Sequence, residues 1–498
     1  MAGGFGWRYA NDDKADEELE AAPIEAEAKE EDALPVAAPA APLPPWTLHK
    51  QVNDSAHVFV PPEQFAVPEL FIPTLQKFIA SRADADAIVT TRAMLVERER
   101  CMCPRLGDAI ERRERANEIK RECVQARIKK VGEFKRDYLD MSASGLGFVP
   151  DEVPRSPSLT RLVRVDLSRN QLFSSDHVFQ SLEHITSLKI LNLAHNFLNG
   201  PLTGRATDVT TLEELYLDNN QLTALPSDIG NWTSIRTLSV SKNELTEVPS
   251  SCSAWKKIET LNLRYNKLTA LPTGALTEWS SCKHLYAGAN AITEVPETIS
   301  SLTALEMLDL RKNQLERIPA QLAACTKLKL LNLGDNKIGE VPSDILAKCV
   351  ELEELHLYKN KLESIPDEIG NCTSLKNLTL SSNNVKTLPD SIAKCLALEE
   401  LYLTNNPKFS AVPASMGDLV NLKEIEARKC AGLKSLPPSA INWVNMKELD
   451  LRCGKPLYKG KEKCKVPPEM LEETWEGFGK CIIRGGVQKK AKAKKGKK

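Results

Sequence analysis

The amino-acid sequence predicts an α/β solenoid: a horseshoe with one parallel concave sheet, short helical or 3₁₀ turns on the convex side, and an N-terminal helical cap. Three observations predict this fold. From Leu162 onward, one pattern of aliphatic residues recurs thirteen times. The pattern returns every 23 or 24 residues after first spacings of 26 and 24, and most units carry Asn at the same position. One unit is too short to bury a core alone, so the units must stack.

Each unit begins with aliphatic residues at its first, fourth and sixth positions, which predicts a short strand that directs these side chains inward. The Asn that follows is expected to hydrogen-bond backbone groups of the adjacent turns. An LP pair or a relative of it comes next, and proline favours a turn there because it cannot donate to a sheet. The Asn positions are Asn170, Asn196, Asn220, Asn243, Asn266, Asn290, Asn313, Asn336, Asn360, Asn383 and Asn406, replaced by Cys430 and Gly454 in the last two units.

The repeat array is predicted to span residues 139–454, because a degenerate unit can be read from Leu139 to Pro150. At most fourteen units are therefore expected. Residues 455–486 are predicted to form a C-terminal cap in which Leu471, Trp475 and Phe478 cover the last unit. Terminal units need such covers because stacking leaves an apolar end exposed.

Residues 46–138 are predicted to be a helical region that caps the first turn of the array. A helix over about 106–136 would carry one apolar stripe, which needs a partner, and the open first turn is the expected one. The stripe consists of Ile119, Val124, Ile128 and Val131.

The two ends of the chain are predicted to be disordered and oppositely charged, although the formal net charge is only -1. Residues 1–45 are acidic and then rich in Ala and Pro, with too little apolar surface to fold. Residues 487–498 are basic. This basic tail is compatible with an acidic protein partner, RNA, an anionic lipid or a nuclear-localisation signal, or with a solubilising end alone. Its lysines have no aromatic neighbours, so RNA could be held only through its backbone.

Four cysteines occupy positions at which other units carry tryptophan. The shared position predicts a buried slot that a reduced thiol fills as a small hydrophobe, and reduced cysteines favour the cytoplasm, with the nucleus as the alternative. Residues 1–11 lack a basic segment followed by an apolar one, so no secretory signal is expected, and no membrane span is expected because no apolar run approaches eighteen residues. The cysteines are Cys325, Cys349, Cys372 and Cys395, and the tryptophans are Trp232, Trp255, Trp279 and Trp443.

The consensus LxxLxLxxNxLxxLPxxI at 23-residue spacing resembles the intracellular Ras-group type of leucine-rich repeat, over roughly Leu139 to Gly454. The resemblance implies a cytoplasmic adaptor that binds proteins on its concave face, takes part in Ras-type signal transduction, and has no catalysis of its own. The last units (EIEARKCAGLKSLPPSAI, ELDLRCGKPL) depart from the Asn pattern, and no kinase, GTPase or PDZ-like domain is appended.

The leading interpretation is a non-catalytic protein-interaction scaffold. Two alternatives remain: a regulatory subunit of a GTPase or phosphatase, and a structural component of a large assembly, such as a ribosome, cilium or cytoskeleton, anchored by its charged tails. No enzyme motif of the GxSxG, GxGxxG, GxxxxGK[ST] or HExxH type is present. Cys101, Cys103 and Cys123 could be three ligands of a metal, but no fourth ligand follows at zinc-finger spacing, so no metal or cofactor is expected. The oligomeric state stays open.

The predicted protein-binding surface lies at the variable positions between and just after the inward aliphatic residues, because side chains alternate along a strand. Tyr and Arg dominate binding hot spots, whereas ordinary sheet decoration is the alternative explanation for the Tyr residues. Replacing Arg264, Tyr286 and Arg311 together by Ala is expected to abolish partner capture without unfolding the array. The predicted surface comprises Tyr216, Arg264, Tyr265, Tyr286, Arg311, His356, Tyr358 and Tyr402.

Overall fold

The computed structural model describes residues 47–49, 58–60, 122, 125–452, 464–467, 470 and 482–484. The chain divides into two compact units, Met1–Leu95 and Val96–Lys498. In the first unit, Thr47–His49 pairs antiparallel with Val58–Val60. This hairpin lies inside the region predicted to be helical, and its β-branched and aromatic residues suit a strand. The predicted tails, Gly454 and the cap residues Leu471, Trp475 and Phe478 lie outside the described residues.

The second unit contains one fifteen-stranded sheet in which neighbouring units pair in parallel and in sequence order. The register is constant: Leu261, for example, pairs with Leu238 on one side and Leu285 on the other. The strands are Tyr138–Asp140, Arg164–Asp166, Ile190–Asn192, Glu214–Tyr216, Thr237–Ser239, Thr260–Asn262, His284–Tyr286, Met307–Asp309, Leu330–Asn332, Glu354–His356, Asn377–Thr379, Glu400–Tyr402, Glu424–Glu426, Glu448–Asp450 and Ile482–Arg484.

Short helical segments form the opposite side, and most of them begin directly after the proline that recurs in the units, such as Pro319 before Ala320–Ala324. The α-helices are Glu152–Arg155, Ser175–Leu182, Thr273–Leu276 and Ser343–Lys348. The 3₁₀ segments are Pro157–Leu159, Gly204–Asp208, Ile229–Asn231, Ser250–Ala254, Glu297–Ser301, Ala320–Ala324, Asp367–Asn371, Asp390–Lys394, Ala414–Asp418 and Pro438–Asn442. A small parallel pair, Asn199–Pro201 with Gln221–Ala224, lies beside them. The predicted solenoid is confirmed, and we call the sheet face directed away from the core the concave face.

The sheet begins at the degenerate unit but continues past the expected end of the array. Ile482–Arg484 pairs with Glu448–Asp450, so the sheet has one strand more than the fourteen predicted repeat units supply. The edge of Glu448–Asp450 would otherwise present backbone groups without a sheet partner, and two isoleucines suit a strand. No repeat pattern surrounds Ile482, which is why the sequence did not predict this strand.

A helix over residues 125–133 covers the first turn of the array. Ile128 and Val131 are buried in the same core as the repeats. Arg127 Nη1 donates to the carbonyl oxygen of Asp140 at 3.2 Å, at the end of the first strand of the sheet. Ile119 and Val124 of the proposed stripe lie outside the described residues.

The asparagines join successive units by hydrogen bonds through their side chains. Asn266 Nδ2 donates to the carbonyl of Val240 in the preceding unit at 2.9 Å and to Leu263 in its own unit at 3.0 Å. Asn266 Oδ1 accepts from the backbone N–H of Leu245 at 3.0 Å. The same pattern recurs from Asn170 to Asn406. The predicted role of these residues is confirmed, and Cys430 Sγ, which replaces Asn in its unit, donates to Leu403 O at 3.1 Å.

Tryptophan and cysteine occupy the same buried slot in different units, and both donate a hydrogen bond to the equivalent backbone carbonyl. Trp255 Nε1 donates to the carbonyl of Ile229 at 2.8 Å, and Cys395 Sγ donates to the equivalent carbonyl of Ile369 at 3.2 Å. The slot therefore excludes solvent and contains one polar group, the acceptor carbonyl. The eight cysteines that the structure describes are buried and free, as the sequence predicts for those in the repeats.

Replacing Asn266 by Ala should destabilise the array by about 1–3 kcal/mol for each buried backbone group left without a partner. Urea denaturation followed by circular dichroism measures the loss. Asn231→Ala, at an exposed position of a 3₁₀ segment, is the matched control and should leave the midpoint unchanged. Equal midpoints for the two variants would contradict the proposed role of the Asn side chain.

The slot cysteines should resist thiol reagents in the folded chain. Burial raises the pKa of the Cys325 and Cys372 thiols to about 12 and that of Cys349 and Cys395 to about 11, and only the thiolate is an effective nucleophile. In the unfolded chain these thiols ionise at a lower pH than in the folded chain. The contribution of the neutral thiols to the free energy of unfolding is therefore complete below pH ~9 and is lost as pH rises toward the folded-state pKa values. Maleimide labelling with peptide mapping, native against urea-unfolded, measures the protection; native labelling at pH 7 would contradict it.

Candidate protein-binding surface

The centre of the concave face is built around one buried carboxylate. Asp309 is fully buried at the end of the strand Met307–Asp309. It forms ion pairs with Arg264 Nη2 and with Arg311 Nε, the latter at 3.5 Å, and accepts from the Arg311 backbone N–H at 3.0 Å. Two guanidinium groups therefore share one carboxylate at this point.

Arg264 reaches Asp309 across an intervening strand. Its guanidinium carbon lies 4.3 Å from the centroid of the Tyr286 ring, which supports the cation from below. The corresponding position on that strand is Gly288, where a Cβ would lie 3.0 Å from Arg311 Cγ and 3.1 Å from Asp309 Oδ1. Because Gly288 has no side chain, Arg264, Arg311 and Asp309 have space to contact one another there.

A second glycine makes room for Tyr358 in the same way. A Cβ on Gly334 would lie 2.3 Å from Tyr358 Cε1, so the aromatic ring lies directly over the Gly334 backbone. Along this column, large residues and glycines alternate as Arg264, Gly288, Arg311, Gly334 and Tyr358. We call Arg264, Tyr286, Asp309, Arg311 and Tyr358 the central platform.

The structure brings four of the predicted site residues together in this platform: Arg264, Tyr286, Arg311 and Tyr358. His356 ends the strand Glu354–His356, two residues before Tyr358, and its Nδ1 contacts Thr379 Oγ1 at 3.1 Å while its Nε2 contacts Glu354 Oε2 at 3.0 Å. It is therefore held by its neighbours and extends the platform by one polar side chain.

The other three predicted residues lie apart. Tyr265 lies outside the sheet, because its φ of 54° places it in the left-handed turn before Asn266. Lys242 Nζ lies 5.6 Å from the centroid of its ring. Tyr216 and Tyr402 stay on the concave face but bond the carboxylates of their own strands, Glu214 at 2.9 Å and Glu400 at 3.2 Å.

The variable positions between the second and third inward aliphatic residues of each unit form a first row across the sheet, and the positions two residues later form a second row. The first row is less exposed than the alternation of side chains along a strand suggests. Ser239, Asn262, Tyr286, Asp309 and Asp450 are all buried, although they point away from the aliphatic core. Parallel strands lie only ~4.8 Å apart, so large side chains of the second row cover the side chains of the first row. The first row forms a floor, and the second row, which includes Arg264, Arg311 and Tyr358, forms the layer above it. Tyr286 therefore supports a binding surface rather than contacting a partner with its full ring.

Sequence reasoning missed Asp309, Gly288 and Gly334. The alternation of glycine with large residues in one column was a readable signal for the glycines. Asp309 gave a weaker signal, because its role depends on an arginine two units earlier in the chain.

A second cluster of arginines and carboxylates lies near the C-terminal end of the array. Arg452 Nε donates to Asp450 Oδ1 at 2.9 Å, and Arg428 Nη2 donates to Glu426 Oε2 at 2.9 Å. Burial opposes ionisation of Asp450, but the hydrogen bonds from Arg452 and the charges of Arg452 and Arg428 prevail and lower its pKa. Arg428 and Arg452 are therefore held by the carboxylates of Glu426 and Asp450.

Among the residues that the structure describes, no group of three or more His, Cys, Asp or Glu side chains is arranged to hold a metal ion. Within the same residues, no helix has the length and apolar character that crossing a bilayer requires.

Comparisons with known proteins agree with the fold. A leucine-rich repeat family model matches residues 210–268, 256–315, 326–385 and 350–407. The chain is similar to a leucine-rich repeat protein of Leptospira interrogans, with 26% identity and a TM-score of 0.56 over 69% of this chain and 94% of that chain. The internalin InlF of Listeria monocytogenes shares the fold, with 19% identity and a TM-score of 0.55 over 68% and 90% of the two chains. No curated protein gives a significant sequence match.

These findings support a leucine-rich repeat protein. Folds of this class generally mediate protein–protein interaction, because the stacked units present an extended concave surface.

Replacing Arg264 and Arg311 by Ala should destabilise the array by about 3–5 kcal/mol, because Asp309 would stay buried without a counter-charge. This prediction differs from the expectation, drawn from the sequence alone, that alanine substitutions here leave the array folded. Adding Asp309→Asn removes the buried charge and should restore most of the loss. Chemical denaturation of the two variants measures the difference, and equal stability of both would contradict the shared-carboxylate arrangement.

Proposed function

We propose that the chain is a non-catalytic protein-interaction scaffold whose central platform holds a partner protein on the concave face. The observation that carries this proposal is the platform itself: arginine and tyrosine side chains collected in one column and fixed in place by Asp309, Gly288 and Gly334. Tyr and Arg are the residues that contribute most to binding hot spots, since each combines a large contact area with hydrogen bonding.

The platform is also prepared for binding before a partner arrives. Arg264 lies on Tyr286 and is tied to Asp309, and the ring of Tyr358 rests on Gly334. Side chains that are already ordered lose little conformational entropy on association, which otherwise costs roughly 0.5–1.5 kcal/mol for each flexible side chain. This supports a binding role over ordinary decoration of the sheet.

The wider proposal follows the resemblance to the Ras-group repeats. The scaffold would act in the cytoplasm, in Ras-type signalling, and the basic tail would contact an acidic partner, RNA or an anionic lipid. Buried, free thiols in the repeats support a reducing compartment. The division into tails, caps and a central array at residues 45, 138, 454 and 486 belongs to the same proposal.

Tyr358→Ala should weaken partner capture by about thirtyfold, the effect of losing a hot-spot side chain worth about 2 kcal/mol. Phe197→Ala is the matched control: this aromatic residue is 47% exposed but lies outside the concave columns. Both variants are immobilised and used to capture proteins from a lysate of the native cells, and the proteins retained by the wild-type chain are quantified by mass spectrometry.

The proposal predicts that one set of wild-type partners is lost from Tyr358→Ala and kept by Phe197→Ala. Capture that is unchanged in Tyr358→Ala, or lost only in Phe197→Ala, would place binding elsewhere on the molecule.

A further inference from the structure

Two apolar side chains lie side by side on the concave face, next to the central platform. They are Met307 and Leu330, the first residues of two neighbouring strands, and each is half-buried on the side that faces away from the core. We call them the apolar pair. We infer that the apolar pair binds one aliphatic or aromatic side chain of the partner protein. This inference rests on the proposed function and specifies the chemistry of its ligand.

The apolar pair departs from the pattern of its own row across the sheet. At the first residue of the strand, the two preceding units carry Thr260 and His284, and the two following units carry Glu354 and Asn377. The core does not require apolar residues at this position, because the middle residue of each strand is the one that faces the core. Two adjacent apolar side chains on an otherwise polar surface therefore favour a contact site.

The polar groups beside the apolar pair are bonded to one another. On one side, the Tyr286 hydroxyl donates to Met307 Sδ at 3.3 Å. On the other side, Glu354 Oε2 contacts His356 Nε2 at 3.0 Å. A polar side chain placed over the pair would lose water and gain no hydrogen bond from it, whereas an apolar side chain has no such cost. The surroundings therefore select an apolar ligand, and a polar rim that excludes water is typical of binding hot spots.

The apolar pair has room for a single side chain. Met307 and Leu330 are paired across neighbouring strands, which lie ~4.8 Å apart. The polar residues His284 and Glu354 begin the next strand on either side and limit the apolar surface to these two strands. One side chain of the size of leucine, methionine or phenylalanine covers that width. We therefore expect one apolar anchor and not an extended apolar interface.

The apolar pair is continuous with the central platform. The strand that begins at Met307 leads to Arg311, and the strand that begins at Leu330 leads to Gly334, which lies beneath the ring of Tyr358. Residues along a strand are ~3.3 Å apart, so about 13 Å separates the pair from the platform. A partner segment that lies along these strands therefore meets the pair and the platform together.

The experiment selects random phage-displayed peptides on the full-length wild-type chain and then measures the affinity of a selected peptide for three variants. The threonine variant, Met307→Thr with Leu330→Thr, gives the pair the residue type that this row carries at Thr260. The exchange variant, Met307→Leu with Leu330→Met, keeps the pair apolar. The control variant is Ile190→Thr, a half-buried apolar residue of the same row, five strands before Met307. Thermal unfolding of each chain verifies that it is folded.

The inference predicts that the selected peptides share one apolar residue. Replacing it by Asn should lower the affinity for the wild type about ten- to a hundredfold, because its apolar surface is no longer buried. The threonine variant should bind the unmodified peptide more weakly by a similar factor. It should bind the Asn peptide no more weakly than the unmodified one, since both changes remove the same contact. The exchange variant and Ile190→Thr should bind as the wild type does.

Peptides that bind without any required apolar residue would overturn the inference. Unchanged affinity for the threonine variant, an equal loss on Ile190→Thr or on the exchange variant, or additive losses from the two changes would do the same. The proposed function would survive these results if the same peptides still lost affinity for Tyr358→Ala. Failure to select any peptide, or selection of peptides indifferent to both Tyr358→Ala and the threonine variant, would count against the inference and the proposed function together.

Discussion

The rest of the structure depends on the hydrogen bonds that asparagine side chains make between successive units. Each amide donates to the carbonyl of the unit before it and accepts from a backbone N–H of that unit, so neighbouring units cannot slide relative to one another. Strands of only three residues carry little pairing energy of their own. The asparagines and the buried aliphatic residues together keep fifteen such strands in one register.

A constant register decides which residues can meet. Side chains two units apart in the sequence come within reach of each other, because each step across the sheet is only ~4.8 Å. Arg264 and Asp309 meet in this way, with the strand of Tyr286 between them. The glycines at positions 288 and 334 are part of the same arrangement, since any larger side chain there would displace Arg311 or Tyr358. The platform thus depends on the constant geometry of the repeats and on Gly288 and Gly334, where neighbouring units carry larger side chains.

The periodic part of the molecule could be predicted from the sequence, because repetition shows which positions must be equivalent. The solenoid, the asparagine bonds and the slot shared by Trp255 and Cys395 all follow from that equivalence. Features without repetition could not be predicted: the strand Ile482–Arg484 has no unit pattern around it. The burial of the first row could not be predicted either, since alternation gives the direction of a side chain but not the size of its neighbours. Four of the eight residues predicted for the surface lie in the central platform. Tyr265 lies outside the sheet instead, because the left-handed turn before asparagine does not require a particular residue type.

The central claim is that the concave face, and not the helical side, carries the binding surface. Site-specific incorporation of a photo-crosslinking amino acid tests it most directly, at Ser381, in the same column as Tyr358 and one unit beyond it, and at Lys394 on the helical side. Irradiation during partner capture should give a covalent adduct with the partner from position 381 and none from position 394. Adducts from position 394 alone would contradict the account.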